Sequence, residues 1–338
     1  MGFLIMKNRR LGHEGPMVFP IGFGAMSFSD FYGTTNERES HAILDMAMDA
    51  GVSHLDTSNV YGMGRSETVI GNYIKANSQA QDHFVIATKG GITRNPTGPS
   101  NIFNNSPKHL KTELENSLRR LGVEAVDLYY LHRRDHNVPI EEVTETLAAF
   151  VKSGKVKAIG FSEIAPTTLR RAHAVHPVAA VQSEYSLSTR SPELGLIQTC
   201  AELGVSMVAF SPVGRSLLTD CPISMAAAQD LAFLKNNPRF MTPNYEANFL
   251  ATAGFRSLAA DKGLSAAGLA IAWLLAQGDH VLPIPGTRSV SHFAELLQAS
   301  NCTLSSGELE VIESILPIGW AHGDRYSEAQ WIGPERYC

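Results

Sequence analysis

Short apolar runs, rich in β-branched and aromatic residues, recur along the chain and each ends on polar residues. They fall at 19–24, 53–56, 84–89, 126–132, 156–162, 179–183, 206–210 and 281–283. Runs of this kind read as buried strands opening into loops. Between them lie segments with apolar residues at helical spacing, at 37–50, 66–76, 107–121, 140–153, 166–174, 192–203, 244–262 and 265–277. Ser106-Pro107 offers an N-cap followed by proline at the first helical position, and Ala165-Pro166 and Ser191-Pro192 repeat the proline signal. Gly51, Gly122, Gly154 and Gly204 stand where helices want a left-handed closing residue. Eight strands alternating with helices predict an α/β chain closed into a (β/α)8 TIM barrel. A doubly wound open sheet is the competing architecture, but Gly22-Phe23-Gly24-Ala25-Met26 lacks the third glycine of a dinucleotide fingerprint.

Two stretches break the rhythm. Residues 212–241 form a long connection after the seventh strand, where Pro222, Pro238 and Pro243 prevent one continuous helix. Connections of that length in compact domains are commonly lids or binding segments. Near the other end, Ser305-Ser306-Gly307-Glu308 is a capping box opening an extra C-terminal helix to Leu316, followed by a tail without periodic apolar residues. With no flexible linker between them, residues 1–338 are expected to form a single domain.

Composition narrows the function classes. Hydrophobic content of 44% and charged content of 18% suit a globular chain with a large core. The net charge of −5 and the absence of dense Lys/Arg runs argue against a nucleic-acid partner. The apolar stretch 266–276 is far short of the ~20 residues of a membrane span. Met1 to Met6 is too short for a signal-peptide core, Met6 breaks the myristoylation pattern, and Arg336-Tyr337-Cys338 is no prenylation box. A cytoplasmic protein is expected. Cys200, Cys221, Cys302 and Cys338 have no metal-binding spacing, so reduced thiols and no metal site are expected.

Four side chains carry the chemistry. Asp56, Lys89 and His132 each end an apolar run, and Tyr61 sits in the loop five residues beyond Asp56. In a parallel barrel those strand ends gather the active site. Singly, Asp56 could be a cap, Tyr61 packing and His132 a satisfied core residue. A lysine ending a buried strand is less ordinary, because burying its charge without a partner is costly. Together they suggest a proton-transfer site.

The stretches His54-Leu55-Asp56-Thr57-Ser58-Asn59-Val60-Tyr61-Gly62, Ile86-Ala87-Thr88-Lys89 and Val126-Asp127-Leu128-Tyr129-Tyr130-Leu131-His132-Arg133 resemble the aldo-keto reductase family. So do Gly154-Lys155-Val156-Lys157-Ala158-Ile159-Gly160-Phe161-Ser162, Phe210-Ser211-Pro212-Val213-Gly214-Arg215 and Pro283-Ile284-Pro285-Gly286-Thr287-Arg288, in the family's order. The resemblance implies a (β/α)8 barrel and an oxidoreductase that reduces an aldehyde or ketone, or oxidises the alcohol. It implies NADP(H) as cofactor, with NAD(H) possible, and the tetrad Asp56, Tyr61, Lys89 and His132. Tyr61 would be the general acid/base, its ordinary pKa of ~10 lowered by the Lys89 ammonium, with His132 polarising the carbonyl.

By the same resemblance Gly24, Ser162, Gln182, Phe210, Ser211, Val213 and Arg215 line the nicotinamide and pyrophosphate. Thr287, Arg288, His292 and Glu295 meet the 2′-phosphate and adenosine, although His292, Glu295 and Leu296 depart from the family's Arg and Glu-Asn. Phe28, Phe31, Tyr32, Arg133, Arg134, Trp320, Tyr326 and Trp331 are candidates to face a small-molecule carbonyl or alcohol substrate. A Schiff-base aldolase using Lys89, or a reductase-like regulatory subunit that only binds cofactor, are the competing readings.

Overall fold

The computed structural model describes residues 7–94 and 101–336. Eight strands form the predicted parallel sheet, each beside its neighbours in the chain. They are β1 (Phe23–Gly24), β2 (His54–Asp56), β3 (Val85–Gly90), β4 (Val126–Leu131), β5 (Val156–Ser162), β6 (Val178–Glu184), β7 (Ser206–Phe210) and β8 (Val281–Pro283). Closure comes from backbone bonds between the two ends. Gly22 N–H donates to the Pro283 carbonyl at 2.9 Å, and Gly24 N–H to that of Pro285 at 3.0 Å. Helices α1 (Glu37–Asp49), α2 (Arg65–Ala76), α3 (Pro107–Leu121), α4 (Ile140–Lys152), α5 (Pro166–Val175), α6 (Leu196–Leu203), α7 (Ala266–Leu275) and α8 (Val290–Leu297) alternate with the strands. The capping signals work as read. The Ser106 hydroxyl accepts from His109 N–H, Pro107 opens α3, and Gly122 closes it at φ 69°. All ten residues of α7 are buried, as an apolar sequence on every face requires.

Alternation along the strands explains how the barrel is filled. Side chains two apart point the same way. A small cluster of Leu11, Val18, Ala87, Leu128, Tyr130, Ala180, Val208, Leu282 and Ile284 packs separately from the main core. One step further along the same faces stand Asp56, Lys89, His132, Gln182 and Phe210. An apolar floor therefore lies beneath a polar layer at the C-terminal ends. Gly160 is needed here, since a Cβ would lie 2.6 Å from the Tyr130 ring.

The structure departs from the sequence expectations in several places. The first strand is two residues long rather than 19–24. A hairpin of Arg9–Arg10 and Met17–Val18, not anticipated, supplies Leu11 and Val18 to the floor. It is anchored by the Arg9 guanidinium, which donates to the carbonyls of Leu275 (2.6 Å), Gly278 (2.9 Å) and Val281 (2.5 Å). A second hairpin, Ile92–Arg94 with Asn101–Phe103, follows β3. Gly195, at φ 122°, splits the expected helix 192–203 into a short 3-10 turn and α6. The expected helix 244–262 breaks at Thr252 into Asn244–Ala251 and Ala253–Asp261.

The long connection holds a short helix, Met225–Asp230, and its own cluster of Leu217, Ala228, Leu234, Phe240 and Tyr245. The extra helix is Ser306–Ile315, and Ser305 and Glu308 complete the capping box in both directions. Beyond it the tail folds back over the ends of β5 and β6.

Candidate active site

Asp56, Tyr61, Lys89 and His132 meet at the C-terminal mouth of the barrel. Lys89 is fully buried, and its ammonium donates to an Asp56 carboxylate oxygen, to the Thr57 carbonyl at 2.8 Å and to the Tyr61 hydroxyl at 3.2 Å. Desolvation pushes the Lys89 pKa down, but Asp56 and Tyr61 outweigh it and the net direction is up. The ammonium therefore stays charged. Asp56 is steadied on its other oxygen by the Gln182 amide N–H at 2.8 Å. The Lys89 nitrogen also lies 4.8 Å from the centre of the Tyr61 ring.

The Tyr61 phenol differs from the sequence expectation. Its pKa is raised overall, because burial outweighs the pull of Lys89 and Asp56 adds to the rise. The phenol thus keeps its proton, and Lys89 occupies a lone pair of the oxygen rather than that proton. The His132 ring stands edge-on to Tyr61, 5.9 Å between centres. Burial first, then Arg133 and Lys89, hold His132 well below its usual pKa, so the imidazole is neutral at physiological pH. Its Nδ1 meets the Ser58 hydroxyl at 3.0 Å. The single Ser58 proton is shared between two acceptors, Asn59 Oδ1 at 3.2 Å and His132 Nδ1, and when it goes to His132 the imidazole proton sits on Nε2. Ser58 and Thr57 were not singled out from sequence, although both belong to the loop that carries Tyr61.

The other expected site residues divide. Ser162 and Gln182, both buried, flank the tetrad at the ends of β5 and β6. Gln182 spends its N–H on Asp56, and Ser162 accepts from Arg133 Nη1 at 2.8 Å. The amide oxygen of the first and the O–H of the second remain available. Gly24 ends β1 beside the closure. Phe210 is half-buried at the end of β7, and Ser211 and Val213 begin an irregular loop. Ser211, Gly214, Arg215 and Ser216 all have positive φ there, the kind of backbone that turns N–H groups toward an anion.

Arg215 is held by partners the sequence did not suggest. Its guanidinium is turned inward, donating to Glu184 and to the Arg325 carbonyl, and it stacks on Phe233 and Tyr326. The cation expected for a pyrophosphate is therefore already paired. Glu184 lies in a buried network with Glu163, Arg239 and Arg325, in which Arg325 pairs with both oxygens of Glu163. Glu163 takes its place at φ 57°. Arg134, another residue offered to substrate, pairs with Glu335. Phe28 and Trp320 are core residues rather than mouth residues. Phe31 contacts Phe233, which in turn contacts Tyr326, and Tyr326 contacts Trp331, so an aromatic row crosses the mouth.

Arg288 and His292 are exposed and Glu295 is half-buried at the start and along α8. The Arg288 guanidinium lies across the loop after β1, donating to the Thr34 carbonyl at 2.9 Å. Gly33 makes room, since a Cβ there would lie 2.9 Å from Nη1. The Thr287 hydroxyl accepts from Ser289 N–H at 3.1 Å, and Ser289 caps α8 on His292 N–H. Leu296 is packed into the core, so its failure to hydrogen-bond says nothing about an adenine.

A closed parallel barrel thus gathers Asp56, Tyr61, Lys89 and His132 at its C-terminal mouth. The Aldo/keto reductase family model matches residues 20–317, and the chain belongs to that family of oxidoreductases. It is 36% identical over 324 residues to "Aldo-keto reductase yakc [NADP(+)]" of Schizosaccharomyces pombe, covering 95% of this chain and 94% of that protein. It is 37% identical over 318 residues to "Probable aldo-keto reductase 1" of Glycine max, covering 94% and 91%. Among solved structures, a glycerol dehydrogenase of Gluconobacter oxydans superimposes with a TM-score of 0.81 at 25% identity, covering 92% of this chain and 95% of that one. The holo form of a Bacillus halodurans aldo-keto reductase gives 0.75 at 26% identity, covering 96% and 99%.

Proposed function

We propose that the protein interconverts an aldehyde or ketone with its alcohol using NADP(H), with Tyr61 as general acid in reduction and general base in oxidation. The observation that carries this is the Lys89 to Tyr61 hydrogen bond of 3.2 Å within a fully buried Asp56–Lys89 pair. The ammonium fills a lone pair of the phenol oxygen, leaving the phenolic proton for a substrate oxygen. Once that proton has moved, the same ammonium stabilises the phenolate. Neutral His132, with Ser58 donating to its Nδ1, donates from Nε2 to polarise the carbonyl and set its angle to Tyr61.

The residues present fit a nicotinamide cofactor, which supplies the hydride to the carbonyl carbon. Ser162 has a donor to spare and Gln182 an acceptor, the complement of a carboxamide. Phe210 offers an aromatic face, which suits stacking. Arg288 presents an exposed guanidinium suited to a 2′-phosphate, in keeping with the NADP(+) in the name of the fission-yeast relative.

The aldolase alternative fits less well. All three donors of the Lys89 ammonium are engaged, and its charge is held by Asp56, so no neutral amine is available as nucleophile. A purely cofactor-binding role leaves the complete tetrad without a purpose.

Tyr61→Phe tests the assignment. Turnover should fall by ~10²–10⁴-fold, as for loss of a general acid, while cofactor affinity stays within a small factor. A variant retaining more than about a tenth of wild-type kcat, with chemistry rate-limiting, would exclude Tyr61 as the acid. Borohydride trapping of an adduct on Lys89 would support the aldolase instead.

A further inference from the structure

The two consecutive arginines after His132 have different fates. Arg134 pairs with Glu335. Arg133 has no carboxylate partner among the described residues. Its Nη1 is pinned twice, donating to the His132 carbonyl at 2.7 Å and to the Ser162 hydroxyl at 2.8 Å. Its Nε and Nη2 make no hydrogen bond to described residues, and the side chain is half-buried. Glu163, close enough for the Arg133 charge to bear on its carboxyl, is not free to pair with it. Arg325 takes both of its oxygens, and one of them also accepts from Glu184 N–H.

Arg133 is therefore a fixed cation at the mouth, beside the catalytic histidine, with one edge of its planar fork unused. The surrounding charge does not compensate it. Asp56 is matched by Lys89, and in the buried network Glu163 and Glu184 face Arg215, Arg239 and Arg325. The free edge of a half-buried guanidinium is left to water unless an anion arrives with a ligand. The Nε–Nη2 edge matches a carboxylate in a bidentate pair.

We infer that Arg133 is a specificity-determining residue, and that the preferred carbonyl substrates carry a carboxylate or similar planar anion within reach of its free Nε–Nη2 edge. This rests on the carbonyl-reductase reading above and adds the substrate class to it. Because Arg133 also holds Ser162, its replacement will depress turnover in general. The anion role is read from the ratio between matched charged and neutral substrates.

The test compares 4-carboxybenzaldehyde with its neutral methyl ester by NADPH oxidation. Wild type should favour the acid in kcat/KM by about tenfold or more, the factor a charge-assisted hydrogen bond carries. Arg133→Met should abolish the preference, and Arg133→Lys, which keeps the charge but loses the fork, should retain part of it. Equal handling of acid and ester by wild type, or an equal loss on both in Arg133→Met, overturns the inference and leaves Arg133 as a support for Ser162. A binding measurement needs no turnover: benzoate should bind wild type more tightly than benzamide, by calorimetry, with the difference lost in Arg133→Met. No difference there also overturns it. An intact benzoate preference with no carbonyl reduced would count against the reductase reading alone.

Discussion

Lys89→Met separates the catalytic and structural parts of the site. The lysine is wholly buried and spends its three donors on Asp56, the Thr57 carbonyl and Tyr61. A methionine fills nearly the same volume, so little cavity is made and the loss is mainly electrostatic. Asp56 keeps only the Gln182 N–H at 2.8 Å and is left as a buried carboxylate without a cation. Breaking such a pair from one side costs about 3–5 kcal/mol, a large share of the ~5–15 kcal/mol that holds an ordinary domain folded. Removing both charges restores balance, so Lys89→Met with Asp56→Asn should recover most of that loss. Activity should behave differently. The single and double variants alike lack the cation that stabilises the phenolate, and both should lose at least ~10²-fold in kcat. Urea unfolding followed by circular dichroism gives the stability series, and single-turnover NADPH oxidation gives the chemical step. A double variant as unstable as the single one would refute the buried-charge argument. A single variant with near-normal turnover would refute the role of the ammonium in catalysis.

Two further outcomes follow from the geometry. Arg288→Ala should weaken NADPH by roughly 10- to 150-fold, the worth of a hydrogen bond to a charged group, while NADH is nearly unaffected; cofactor titration by fluorescence checks this, and equal losses would remove Arg288 from the phosphate. Burial lowers the pKa of His54 and, together with Arg133 and Lys89, that of His132. The unfolded chain then binds more protons than the folded one below about pH 6.5, so stability is full above that pH and declines as acid is added. Thermal melts between pH 7.5 and 5.5 should show this fall, with a shallower slope in His132→Asn.

The meeting of Asp56, Tyr61, Lys89 and His132 was legible because three of them lie at or beside the ends of strands whose apolar alternation fixes their direction. Lys89 and His132 follow the same inward parity as the floor residues Ala87 and Tyr130, Asp56 closes β2, and the Tyr61 loop follows it directly. What could not be read depends on partners far apart in the chain. Arg215 looks like a cofactor-facing cation until Glu184 and the Arg325 carbonyl are brought to it across 31 and 110 positions. The tail shows no periodicity because ion pairs and aromatic contacts place it rather than a repeating apolar face. The N-terminal hairpin escaped for a related reason. Its strands are two residues each, too short for any alternation to register, and its anchor Arg9 is a charged residue bonding to carbonyls 266 to 272 positions further along the chain.

The pairing of Glu163 with Arg325 also has a consequence in time. A ribosome delivers the acidic partner 162 residues before the basic one. At ~5–20 residues per second, this is an interval on the order of ten to thirty seconds. Throughout it, the ends of β5 and β6 hold two carboxylates whose later guanidinium partners have not all been made. Those strand ends acquire their full complement of counter-charge only when Arg325 has been made. A chain stopped before Arg325 should therefore be cut by proteases at the C-terminal ends of β5 and β6 faster than the full chain, and equal cutting would remove Arg325 from the stability of that mouth.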